Sequence, residues 1–293
     1  MSSLRNQLKG TGVALITPFT SNGDVDYPAL EKLIHYTISG GVEYLVTLGT
    51  TGETPTLSKQ EKKDIVQFTF ATVNKQVPVV VGIGGNNTRE IIEELGTFPL
   101  DEAVAVLSAA PYYSKPSQEG IYQHYKALAA ASPKPILLYN VPGRTGRNVE
   151  AATTLRLAHE VENIAGIKEA GNNMVQVMHI LKDRPKSFLV VSGDDDLVMP
   201  QLACGIDGVI SVAANCFPRN FSEMVRAGLD FDFAAAKLLN DPMLEVYNLL
   251  FAENNPAGVK AFLTELGIIQ NNLRLPLVPL SEALYEKVRL YLS

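Results

Sequence analysis

A lysine near the end of an apolar run is the residue in this chain best suited to covalent chemistry. Lys168 sits in Ile164-Ala165-Gly166-Ile167-Lys168-Glu169-Ala170, which reads as a short buried strand of the parallel type. Strand side chains alternate faces, which predicts that Ile164, Gly166 and Lys168 share one side, with Gly166 leaving room below the lysine. Desolvation disfavours an ammonium, and a neutral amine can attack a carbonyl to form a Schiff base. The plainer reading is a surface lysine that ends a strand. Other polar groups fall at equivalent places. Gly49-Thr50-Thr51-Gly52-Glu53 sets two hydroxyls between glycines, a turn whose N–H groups can approach a small anion. Tyr112-Tyr113 and Tyr139 end two further apolar runs, and a phenol there can relay protons or simply close a rim. Arg144, in Val141-Pro142-Gly143-Arg144-Thr145-Gly146, can clamp a carboxylate with two hydrogen bonds or lie in solvent. Together these groups suit Schiff-base chemistry on a 2-oxo acid.

Positioning them requires several strand ends at one mouth. Apolar runs occur at 13–19, 44–49, 77–83, 102–109, 135–139, 164–170, 188–192 and 208–212, alternating with helical spacing. Asp26, Ser58 and Ser117 are the expected N-caps, with Glu61 completing a capping box. Near-continuous Val/Ile/Leu runs imply a parallel sheet covered on both faces. Eight strand–helix units predict a (β/α)8 TIM barrel, whose active sites lie at the C-terminal strand ends. The competing fold is an open doubly wound sheet. Residues 1–224 are assigned to the barrel and 225–293 to a C-terminal helical extension.

The chain has 293 residues, a formal net charge of −6 and 19% charged residues. That balance carries no basic footprint for nucleic acid. No apolar stretch is long enough for a membrane helix, and residues 1–9 lack the apolar core of a signal peptide, so a cytoplasmic protein is expected. Cys204 and Cys216 make neither a metal-type spacing nor a disulfide framework. His35, His124, His159 and His179 all fall in predicted helices without ligand spacing, so no metal is expected. Asp194-Asp195-Asp196 reads as a strand-to-helix turn. Gly82-Ile83-Gly84-Gly85 lacks the third glycine of a dinucleotide fingerprint.

The Gly49–Glu53, Tyr139–Gly146 and Gly166–Ala170 motifs, in that order, resemble the dihydrodipicolinate synthase family, within the wider N-acetylneuraminate lyase family of class I aldolases. The resemblance runs from about Gly10 to the Leu275–Leu280 segment. It implies condensation of pyruvate with L-aspartate 4-semialdehyde in lysine and diaminopimelate biosynthesis, with no cofactor beyond the imine. By resemblance Lys168 forms the imine, and Tyr139, Thr51 and Tyr113 make a proton relay, Tyr113 coming from a neighbouring subunit. Thr50 and Thr51 hold the pyruvate carboxylate, Arg144 binds that of the aldehyde, and the Ile210 carbonyl lies beside the site. A homotetramer built as a dimer of dimers is implied. Positions similar to Asn86, Glu90 and Tyr112 line an allosteric lysine pocket in sensitive relatives. Here Lys59 and Lys62 stand where those relatives commonly supply histidine, so weak or absent inhibition is expected. Two alternatives stay open: another pyruvate-type aldolase or lyase acting on N-acetylneuraminate or 2-oxo sugar acids, which Arg144 disfavours, and a non-catalytic barrel that binds a 2-oxo acid.

Overall fold

The structure, a computed structural model, describes residues 3–293. Eight parallel strands form the centre: β1 Gly10–Ala14, β2 Tyr44–Thr47, β3 Val79–Gly82, β4 Ala105–Ala109, β5 Ile136–Asn140, β6 Ile164–Glu169, β7 Leu189–Ser192 and β8 Gly208–Ser211. They close in chain order, β8 pairing back onto β1 through Gly10↔Gly208 and Gly12↔Ile210. The fold is therefore the TIM barrel that the alternating pattern predicts, and the open sheet is excluded. Alternation sorts the side chains. Tyr44, Val46, Val80, Leu107, Leu137, Leu189 and Ile210 fill the interior. Leu45, Val81, Val106, Leu138, Val190 and Val209 face outward and pack under the surrounding helices. Leu8 joins the interior cluster just before β1. It follows a short helix, Leu4–Gln7, that has too little periodicity to be read from sequence; Arg5 ties it to Asp207 at 2.9 Å.

The expected caps are in place. Asp26 accepts from the Ala29 amide, Ser58 and Glu61 form a reciprocal capping box, and Ser117 accepts from the Gly120 amide. Two strand expectations need correction. The run 13–19 is not one strand: β1 ends at Ala14, and the Asn215 side chain takes the Ile16 amide that a ladder would use. Leu15, Ile16 and Phe19 are buried instead in the outer layer. Nor does Ile164 share a face with Gly166 and Lys168. The β5–β6 register slips between Ile136↔Ile164 and Leu137↔Gly166. That extra residue puts Ile164 in the outer cluster, as a bulge does.

After β8 the chain is helical over Pro218–Leu229, Phe233–Asn240, Met243–Phe251, Ala257–Glu265 and Glu282–Leu292. The breaks near Asp241-Pro242, Asn255-Pro256 and 274–279 fall between these helices. The division drawn between 224 and 225 lies inside Pro218–Leu229, a helix that packs on β1 and β8.

Candidate active site

Lys168 lies opposite Tyr139 on β5 and Val191 on β7. Both neighbours belong to the interior cluster, so the lysine points into the barrel. Its side chain is nearly closed off at 5% exposure, and its Nζ stands 4.5 Å from the centre of the Tyr139 ring. The room around it is not made as the sequence suggested. A Cβ on Gly166 would come within 2.6 Å of Leu189 Cβ and 3.1 Å of Leu137 Cδ2, so that glycine lets two leucines close beneath the lysine. Gly193, just after β7, is the residue that clears the lysine stem. A Cβ there would lie 2.9 Å from Lys168 Cε and 2.5 Å from Ala170 Cβ.

Acidic groups surround this strand end. Burial pushes Asp194 up to about 6, Asp196 adds to the shift, and the charge on Lys168 opposes it. Asp195 is fully enclosed, which also raises it to about 6. The amides of Ala213 and Val212, at 2.8 and 3.1 Å, favour its charged form, so it anchors the turn after β8. Burial lifts Glu169 to about 7. Its carboxylate accepts from Asn140 Nδ2 at 2.8 Å, Gln176 Nε2 at 2.9 Å and the Gly171 amide at 2.9 Å. Glu169 therefore joins the β5 loop to the β6 loop. Asn140 also accepts the Val149 amide, which closes the Arg144 loop at its far end.

The Gly49–Glu53 turn forms two short 3-10 segments, Thr50–Gly52 and Thr54–Thr56. Leu48 and Glu53 hold left-handed φ values of 57° and 52°, strain that a functional turn can carry when its surroundings fix it. Thr50, Tyr112 and Tyr139 line one cavity of about 200 Å³ at the mouth. Thr51 is 2% exposed, and Ile210 packs with Tyr139 in the interior cluster. The chain alone does not enclose the remaining two candidates. Tyr113 is 90% exposed with φ 68°. Arg144 sits exposed on the short helix Pro142–Thr145. Asn86, Glu90 and Tyr112 share a second cleft of about 420 Å³ with Lys59 and Lys62, and Tyr112 and Lys62 line both cavities.

Sequence reasoning missed what holds the threonine turn. Asn255 donates from Nδ2 to Thr51 Oγ1 at 3.0 Å. Lys260, with no exposed surface, forms an ion pair with Glu53 and donates to the Asn272 carbonyl at 2.8 Å. Arg274 gives its amide to Glu53 at 3.1 Å and its guanidinium to Glu61. A signal was available: Lys260 stands in the otherwise apolar stretch Ala-Gly-Val-Lys-Ala-Phe-Leu that opens the helix Ala257–Glu265, and a buried lysine requires a partner.

An enclosed lysine beside a phenol, at the C-terminal mouth of a closed parallel barrel, is the layout of an imine-forming barrel lyase. The chain belongs to the dihydrodipicolinate synthetase family, which it matches over residues 7–293. It is 52% identical to the 4-hydroxy-tetrahydrodipicolinate synthase of Parabacteroides distasonis, over 96% of this chain and 95% of that one. It is 50% identical to the synthase of Phocaeicola vulgatus, over 99% and 98% of the two chains. Among solved structures, dihydrodipicolinate synthase from Thermotoga maritima superposes with a TM-score of 0.95 at 39% identity, covering 98% of each chain.

Proposed function

We propose that this chain condenses pyruvate with L-aspartate 4-semialdehyde through an imine on Lys168, giving 4-hydroxy-tetrahydrodipicolinate. It is a lyase of the 4-hydroxy-tetrahydrodipicolinate synthase kind, acting in lysine and diaminopimelate biosynthesis. The observation that carries this reading is the inward Lys168 aligned with Tyr139.

Lys168 Nζ attacks C2 of pyruvate, and the carbonyl oxygen takes a proton from Tyr139. The nitrogen gives up a proton, and the C2 hydroxyl leaves as water once protonated again. The resulting iminium is itself the electron sink, so the scheme needs no metal and no dissociable cofactor. Loss of a C3 proton gives the enamine. C3 then bonds to the aldehyde carbon of the second substrate, whose oxygen takes up a proton. The amine of that substrate attacks C2 and displaces Lys168, exchanging one C=N bond for another and closing the ring. Tyr139, Thr51 and Tyr113 of the partner subunit carry the protons between these steps. The exposure of Tyr113 suits a residue that works in a neighbouring site. Thr50 and Thr51 hold the pyruvate carboxylate, the Ile210 carbonyl borders the reacting atoms, and Arg144 receives the second carboxylate with its paired donors. A homotetramer in the cytoplasm belongs to the same proposal.

A coupled assay tests the substrate pair. Turnover is expected with pyruvate and aspartate 4-semialdehyde. Faster cleavage of N-acetylneuraminate or a 2-oxo sugar acid would overturn the assignment.

A further inference from the structure

We propose that Asn255, from the C-terminal helical segment, is a positioning residue that sets the hydrogen-bond direction of Thr51 for proton transfer. The inference rests on the relay role proposed for Thr51. A hydroxyl has one proton to donate and can accept in addition. Asn255 Nδ2 donates to Thr51 Oγ1 at 3.0 Å, and both side chains are buried, at 6% and 2% exposure. With Oγ1 engaged as an acceptor, its own proton is directed to another partner. In the relay proposed for Thr51, that hydroxyl thereby starts each cycle as a donor.

The surroundings hold this arrangement rigidly. Glu53, two residues beyond Thr51, is tied to Lys260 and to the Arg274 amide. Gly52 O accepts from Thr17 Oγ1 at 2.7 Å. Asn255 lies five positions before Lys260, so the Asn255–Arg274 segment grips the same turn at its middle and at its last residue. Asn255 Oδ1 is buried and no protein group donates to it. A side chain kept only for packing would not need an amide here. A group kept for its N–H donor would.

The test uses the full-length enzyme with Asn255→Asp and Asn255→Leu, both checked for folding by thermal melting. Wild type is first trapped with pyruvate and borohydride; failure there refutes the imine reading and not this one. Given wild-type trapping, both variants should still form the imine, with pyruvate KM changed less than about threefold and kcat reduced about 10- to 100-fold at pH 8. The two should differ in pH dependence. A carboxylate accepts where the amide donated, but its protonated form can donate again. The kcat ratio of Asn255→Asp to wild type should therefore rise as pH falls from 9 to 6, and that of Asn255→Leu should stay flat. Wild-type kcat in Asn255→Asp at pH 8 would mean that the side chain accepts from Thr51, and would overturn the inference. So would a flat ratio for Asn255→Asp, or a loss confined to KM. Should Asn255→Leu not fold, the isosteric Asn255→Asp decides by its slope alone.

Discussion

At the scale of single residues, the site divides into groups enclosed by the barrel and groups that wait at its rim. Lys168, Tyr139, Thr51 and Ile210 are nearly inaccessible, whereas Arg144 and Tyr113 lie open. That division predicts different kinetic effects. Replacing the arginine proposed to clamp the second carboxylate should weaken one substrate and spare the covalent step. Arg144→Ala is therefore expected to lower kcat/KM for aspartate 4-semialdehyde about 10- to 100-fold, the worth of one or two charge-assisted hydrogen bonds. Steady-state assays should find the pyruvate KM nearly unchanged and imine trapping intact. Equal losses for both substrates would place Arg144 elsewhere. Lys168 itself was legible because the run that leads to it, Ile164 to Ile167, is apolar. Its surroundings were not: the slip at Ile164 arises from pairing with β5, and Gly193 approaches it from another strand end.

At the scale of elements, alternating apolar runs and caps were enough to order eight strands, because each cap acts within its own few residues. Contacts between distant segments were not legible. The threonine turn after β2 is held by Asn255, Lys260 and Arg274, more than 200 positions away for each contact with Thr51 and Glu53. Removing one side of the buried Lys260–Glu53 pair strands a charge in the interior. Lys260→Met should destabilise the fold by about 3–5 kcal/mol in thermal or urea unfolding. Adding Glu53→Gln to Lys260→Met should recover much of that loss. No recovery would show that the lysine matters for packing and not for charge. Glu169 makes a second element-scale prediction through its link between the β5 and β6 loops. Its folded value of about 7 lies above that of an exposed carboxylate, so the folded chain holds this proton longer than the unfolded chain does. Its contribution to stability is thus fully present at low pH and is lost as pH rises to about 7, by at most roughly 1.4 kcal/mol per unit. Melting temperatures of wild type and Glu169→Gln compared from pH 5 to 8 should show a shallower decline in the variant. Parallel curves would remove Glu169 from the pH response.

For the whole molecule, the closed barrel and its C-terminal helices act as one device. The barrel supplies the enclosed amine, and the Asn255–Arg274 segment fixes the threonine turn after β2. A single chain leaves Tyr113 exposed, which is where a proposed assembly has its effect. The cleft holding Asn86, Glu90 and Tyr112 adjoins the mouth cavity through Lys62 and Tyr112, and sets Lys59, Lys62 and Lys63 against Glu90, Glu93 and Glu94. The ammonium groups at the positions where sensitive relatives supply histidine oppose a cationic ligand, against the pull of the carboxylates across the cleft. Lysine up to millimolar concentration should leave turnover little changed, and strong inhibition at lower concentration would show that the cleft accommodates it. The central claim is that Lys168 is the nucleophile. Borohydride reduction in the presence of pyruvate, followed by peptide mass analysis, tests it most directly. One reduced pyruvyl group should appear on the Lys168 peptide and be absent from Lys168→Ala. No adduct, or an adduct on another lysine, would contradict the account.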